Sequence, residues 1–143
     1  MPSTATSTWT GALKEGAGKI KLGNGAFEGD YSFKSRFEDG KDGTNPEELI
    51  AAAHSACFSM ATTSELGKAG IDSESVETSA AVTLKIIDGT PTITKIVLDQ
   101  TINAPGGSED DVRKVAEAAK AGCPVTRALA GVDDIELNLT ISV

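Results

Sequence analysis

The sequence predicts an α+β fold, and three features of its patterning predict it. Strand-like alternation is gathered into blocks, from Ser7 to Phe37, from Ser75 to Asn103 and from Ile135 to Val143. Helix punctuation marks other blocks, from Asn45 to Gly67 and from Ser108 to Ala130. Turn signals such as Gly23-Asn24-Gly25 and Asp88-Gly89-Thr90-Pro91 join neighbouring strands directly, as hairpins do. The order is three strands, a long helix, two strands, two helices and a last strand. At 143 residues the chain is expected to form one domain, 1–143, with an ordinary core.

In the first block, Trp9 and Leu13 fall on one face of a short strand, and Lys19-Ile20-Lys21-Leu22 alternates. Tyr31 to Phe37 alternates as well, which predicts a strand with Tyr31, Phe33, Ser35 and Phe37 on one face. Ser32, Lys34 and Arg36 take the other face. A polar loop, Glu38 to Gly43, leads into the central stretch. There Asn45 suits the N-cap, Pro46 the first helical position, and Glu48 the third position of a capping box. Gly67 suits the stop. Between them Leu49, Ile50, Ala51 to Ala53, Ala56, Cys57, Phe58, Met60 and Ala61 leave no wide polar face, so this helix is expected to be buried.

The segments Ser75 to Ile87 and Thr92 to Asn103 read as a long hairpin, with Ile93 out of phase at a bulge. Ile96, Leu98, Gln100 and Ile102 share one face. Ser108 caps a helix whose inner face is Val112, Val115, Ala116 and Ala119. Cys123 precedes a shorter helix that opens at Pro124, a place where the helix dipole favours a thiolate. Ile135, Leu137, Leu139, Ile141 and Val143 then alternate with polar residues in a half-buried strand.

The net charge of -8 and a pI near 4.6 disfavour nucleic acid or an anionic membrane as the main partner, since either asks for a basic footprint. No apolar run approaches the roughly 18 residues that span a bilayer, and the start, Met1-Pro2-Ser3-Thr4, lacks signal-peptide regions. The expected location is therefore the cytoplasm. In that reducing compartment the 2 cysteines, Cys57 and Cys123, are not expected to form a structural disulfide.

Several chemistries compete for these residues. His54 and Cys57 are three apart on a helix and share a face, as a base and a nucleophile would, yet a lone histidine in such a helix is commonly a core residue. Cys57, Cys123 and His54 offer three metal donors, but no Cys-x-x-Cys or His-Glu-x-x-His spacing supports a metal site, and none is expected. Neither a phosphate loop nor a dinucleotide fingerprint is present, so no cofactor is expected. The remaining sharp reading is a redox thiol pair. A buried thiolate needs a permanent cation, which Arg36 can supply, and a buried arginine needs a carboxylate, from Glu47 or Glu48. On residue chemistry alone, a solvated Arg36, glutamates that only serve the helix cap, and inert buried thiols stand beside it.

The string from Thr44 to Ala61 (T-N-P-E-E-L-I-A-A-A-H-S-A-C-F-S-M-A) and the later A-A-K-A-G-C-P-V-T, Ala118 to Thr126, resemble the osmotically inducible protein (OsmC) family, sister to the organic hydroperoxide resistance (Ohr) proteins. His54 and the segment Tyr31 to Gly40 are similar to the OsmC branch. The resemblance covers essentially the whole chain. It implies an OsmC-like fold, with antiparallel sheets wrapped around a buried central helix in an intertwined homodimer. It also implies a thiol peroxidase that reduces organic hydroperoxides to alcohols. Cys57 would be oxidised to a sulfenic acid, Cys123 would resolve it as a disulfide, and a small dithiol or dithiol protein would restore both thiols. Arg36 would stabilise the thiolate and Glu47 would hold Arg36. Glu47 stands ten residues before Cys57, about 15 Å along a helix, so the homodimer could bring Glu47 to the other subunit's thiol. The rival readings are a general disulfide reductase and a non-catalytic stress or binding protein.

Overall fold

The computed structural model describes residues 1–39 and 42–143. Gly40 and Lys41, in the predicted polar loop, lie outside the described residues. The chain divides into two compact units, Met1–Leu49 and Ile50–Val143, each described by itself.

The first unit holds strands β1 (Ala5–Thr10), β2 (Ala17–Leu22) and β3 (Glu28–Tyr31) in a sheet of that order, both pairs antiparallel. Trp9, Gly18 and Tyr31 occupy one row across the sheet. The Trp9 and Tyr31 rings meet over the glycine with centroids 5.5 Å apart. A Cβ on Gly18 would lie 2.3 Å from the Tyr31 ring, so only glycine admits this packing. Leu13, expected to share a strand face with Trp9, falls beyond β1 in an exposed turn.

The expected strand through Phe37 is not formed. β3 stops at Tyr31, and Phe33–Phe37 is a short helix, α1. The reason is a reciprocal cap: Ser35 N–H donates to Ser32 Oγ at 3.0 Å, and Ser32 N–H donates to Ser35 Oγ at 2.8 Å. Two satisfied donors outweigh an alternation of aromatic residues too short to recruit a partner strand. Phe33 and Phe37 come together on this turn, ring centroids 4.7 Å apart.

The central helix α2 spans Pro46–Lys68. Asn45 Oδ1 accepts from Glu48 N–H at 2.8 Å as expected, whereas the Glu48 carboxylate accepts from Thr44 Oγ1 rather than closing the box. The helix outruns Gly67. Gly70, at φ 72, takes the left-handed position, with Gly70 N–H donating to Gly67 C=O and Ile71 N–H to Leu66 C=O. That bond pair is a Schellman stop, and Ile71 packs on the Leu66 cluster as such stops favour.

The second unit contains β4 (Ser75–Ile87), β5 (Thr90–Asn103), α3 (Glu109–Gly122), α4 (Pro124–Ala128) and β6 (Asp134–Ser142). A two-residue turn with positive φ at Asp88 (48°) and Gly89 (79°) closes the β4–β5 hairpin. The predicted bulge is present, because the register skips Thr94 between the pairs Thr83↔Lys95 and Leu84↔Ile93. Against the expectation of wholly antiparallel sheets, β6 lies parallel to β5. The chain reaches it through α3 and α4, the long crossover that a parallel pair requires.

Two apolar clusters fill this unit. Phe58, Ile96, Leu98, Ala119 and Cys123 form one, and Leu66, Ile102, Ala104, Val112 and Ala116 the other. The central helix supplies His54, Phe58, Thr62 and Leu66 to the interior at four-residue spacing. Beneath it runs a polar chain. Thr62 Oγ1 donates to Gln100 Oε1 at 3.0 Å, Gln100 Nε2 donates to Thr78 Oγ1 at 2.9 Å, and Ser59 Oγ donates to Thr78 Oγ1 at 2.8 Å. The helix is not buried all round, as its composition suggested. A sheet covers one side of a helix, and Ala52, Ala53, Ala56 and Met60 stay exposed, Met60 at 75%.

Candidate active site

In the first unit, α1 and the start of α2 present a charge pair. Arg36 Nη2 donates to Glu47 Oε1 at 2.7 Å, and Arg36 Nε donates to both carboxylate oxygens at 3.1 and 3.2 Å. This fork is the strong form of an arginine–carboxylate pair. Glu47 is nearly buried and Arg36 half-buried, side chains 10% and 35% exposed. The Phe37 ring lies 5.5 Å from the guanidinium carbon, which adds a cation–π contact. Glu48, engaged by Thr44, takes no part.

In the second unit, α2 and the α3–α4 junction bring the two thiols together. Both cysteines are free, Cys123 fully buried and Cys57 partly so. Burial raises the Cys123 thiol, but hydrogen bonds from the backbone and hydroxyl of Thr126, from the Cys57 thiol and from the Val125 backbone outweigh it and bring Cys123 below the ordinary range. Cys57 moves the other way. Burial pushes it up, the Val125 backbone opposes, and the neighbouring Cys123 raises it further. The two shifts run in opposite directions, so a thiolate is favoured on Cys123 over Cys57. Pro124 opens α4 directly after this cysteine, as the sequence predicts.

His54 is fully buried one turn before Phe58, and its Nε2 lies 2.8 Å from Thr126 Oγ1. Burial, and next the charge of Lys120, lower its pKa. Its Nδ1 has no hydrogen-bond partner among the described residues. Among the described residues no three His, Cys, Asp or Glu side chains converge as a metal-ligand set, and no helix is long and apolar enough to cross a membrane.

The family model for OsmC-like proteins matches residues 38–138, most of the chain. The chain belongs to the OsmC family. It is similar to the peroxiredoxin OsmC of Escherichia coli, at 44% identity over 132 residues that cover 92% of each chain. The crystal structure of the organic hydroperoxide resistance protein OhrB of Bacillus subtilis matches with a TM-score of 0.72 at 27% identity, covering 96% of this chain and 98% of that one. The OsmC-like protein of Mycoplasma pneumoniae shares the fold with a TM-score of 0.77 at 18% identity, covering 100% and 99%.

In this OsmC-family chain the four predicted site residues thus resolve into two pairs, Arg36 with Glu47 and Cys57 with Cys123, each inside its own unit. Sequence reasoning missed Thr126. Its signal was its place three residues after Cys123, within the first turn of the helix that Pro124 opens.

A pH dependence of stability follows from His54, the chain's 1 histidine. Its folded pKa lies below its unfolded one, near 6.5. Above that value both states are neutral and nothing is lost; below it the unfolded chain gains a proton that the folded chain resists. The urea midpoint is expected to fall as pH drops from about 7 to about 5. A His54→Phe chain should lack that slope, and an unchanged slope would refute the assignment.

Proposed function

We propose that this protein is a cysteine-based peroxidase that reduces organic hydroperoxides to alcohols. The observation that carries the reading is the Cys57–Cys123 pair, two free thiols packed in one cluster where the central helix meets the start of α4. Cys57 attacks the outer peroxide oxygen as thiolate, the O–O bond breaks, an alcohol leaves, and a Cys57 sulfenic acid remains. Cys123 displaces its hydroxyl to form a disulfide, and an external dithiol, small or protein-borne, reduces that disulfide. Similarity to a peroxiredoxin and to organic hydroperoxide resistance proteins supports the substrate class.

Within its own unit Cys57 is held toward the neutral thiol. The reading therefore requires a cation at the reacting sulfur. Arg36 is the residue proposed for that role, and Glu47 the residue that holds its guanidinium in one orientation. The active form proposed is a homodimer. Exposure of Ala52, Ala53, Ala56 and Met60 along the central helix supports it, since small and apolar residues on a buried-type helix suit a second chain.

The test mixes reduced protein with one equivalent of an organic hydroperoxide and, separately, hydrogen peroxide. Intact mass and free thiols are followed over time. Loss of both thiols with a mass decrease of two hydrogens, faster with the organic peroxide, is expected. Survival of both thiols would sink the two-cysteine reaction and favour a binding protein. A disulfide formed by exchange with other disulfides but not by peroxide would favour a reductase.

A further inference from the structure

The proposed reaction uses four side chains and leaves one buried imidazole unexplained. His54 is fully buried in α2, and its Nε2 lies 2.8 Å from Thr126 Oγ1 in α4. Thr126 is the third residue of α4, the helix that Cys123 precedes, and its backbone and hydroxyl are among the groups that lower the Cys123 pKa. One hydroxyl thus ties the ring nitrogen to the helix turn that follows the second thiol.

The direction of this chain follows from counting donors. A neutral imidazole carries one N–H. If the proton sits on Nδ1, a buried donor is left unpaired, because that atom has no partner among the described residues. Nε2 must then accept from Thr126, and the hydroxyl proton is turned away from sulfur. If the proton sits on Nε2, it is satisfied by Thr126 Oγ1, and only an acceptor lone pair goes unpaired at Nδ1. Buried orphan N–H groups are the rarer of the two. The second arrangement also frees the threonine proton to meet a thiolate, a charge-assisted bond strengthened by the donor behind it.

We propose that His54 and Thr126 are positioning residues for Cys123: Nε2–H of His54 donates to Thr126 Oγ1, and the Thr126 hydroxyl donates to the Cys123 thiolate that closes the disulfide. The inference rests on the peroxidase reading for its step. In that step the Cys123 sulfur bonds to the Cys57 sulfur and is oxidised. The Cys57 S–O bond breaks as that sulfur is reduced, and hydroxide leaves and takes a proton from solvent as water. The hydroperoxide is the oxidant for the cycle.

The helix α2 brings Cys57 beside His54, and α3 brings Lys120, which acts on His54 and donates to Ile135 C=O. The strands contribute apolar Ile96, Leu98, Ile135 and Leu137. A lowered Cys123 pKa agrees with this hydrogen bonding.

The experiment separates the two chemical steps. Rapid mixing with an organic hydroperoxide gives the rate of sulfenic acid formation and the rate of disulfide closure, across pH, for wild type, Thr126→Val, Thr126→Ser and His54→Phe. With Thr126→Val, sulfenic acid formation is read separately, because a change at Cys123 also bears on Cys57. Closure should be about tenfold slower, and its pH profile should move up by about one pH unit. Thr126→Ser should restore both, and His54→Phe should lie between. Thr126 is only half-buried, so the valine variant is expected to fold even if His54→Phe does not. Equal closure rates and profiles in wild type and Thr126→Val overturn the inference, as does an equal loss in the valine and serine variants, which would mark packing alone. Failure of the peroxidase reading looks different: wild type then forms no sulfenic acid. In that event the thiolate absorbance of Cys123, titrated in a Cys57→Ser chain with and without Thr126→Val, decides the inference without peroxide. A titration that does not move overturns it.

Discussion

A Cys57→Ser chain treated with an organic hydroperoxide is expected to keep its remaining thiol and to consume no peroxide above buffer. Cys123→Ser should behave differently, because Cys57 can still be oxidised once. It should gain the mass of one oxygen, yield to a sulfenic-acid trap, and stop. The contrast matters more than either loss. A single attacking sulfur and a single resolving sulfur produce unlike failures, whereas two inert core thiols produce none. Because Cys123 is fully buried, its serine variant carries an unpaired hydroxyl risk. Cys123→Ala, which removes that risk, should give the same one-oxygen product. Wild-type behaviour in the Cys57→Ser chain would exclude the reaction proposed.

Phe58→Ala is expected to cost about 3–5 kcal/mol of stability, the range for emptying a buried aromatic position. Phe58 has no exposed surface and packs with Ile96, Leu98, Ala119 and Cys123, which are themselves buried. These neighbours sit on β5, α3 and the start of α4, so no single side chain can swing in to refill the space. The urea midpoint should fall with little change in slope, and Tm should drop by on the order of 10 °C. A loss below about 1 kcal/mol would show that the cluster relaxes more freely than close packing allows. The void would open beside Cys123, so thiol reactivity measured in this variant reports on packing as well as chemistry.

Much of the fold was legible because its signals are local. The alternation in β6 recurs from Ile135 to Ile141, with Val143 beyond the strand and exposed, and the shared face of Ile96, Leu98, Gln100 and Ile102 recurs in full. So do the Asn45 and Ser108 caps and the bulge near Ile93. The errors arose where two local codes overlapped or where the outcome was not local. Ser32 and Ser35 sit inside an alternating aromatic pattern, and their reciprocal cap decided for a helix. Gly67 and Gly70 are both plausible stops, but only Gly70 has an Ile after it to seat on Leu66. The parallel course of β6 depends on how a crossover packs, which alternation cannot encode. Of the candidate site, the two cysteines, Arg36 and the pair Glu47 and Glu48 stand out in the sequence motifs. Which glutamate grips the arginine does not, since the choice turns on Thr44 capturing Glu48. Thr126 escaped notice because hydroxyl residues near a helix start are common and usually serve caps.

The Ser59–Thr78–Gln100–Thr62 chain has a consequence for redox accuracy. Greasy contacts tolerate slippage, so a helix held by them alone could ratchet along its sheet by a turn, about 5.4 Å, and find another comfortable seat. Here each such seat strands a buried amide and hydroxyls, at about 1–3 kcal/mol apiece. Ser59 and Thr62 follow Cys57 within two turns of the same helix, so the amide on β5 acts as an index mark for the sulfur. Residues two to five positions beyond Cys57 thereby decide whether the two thiols meet.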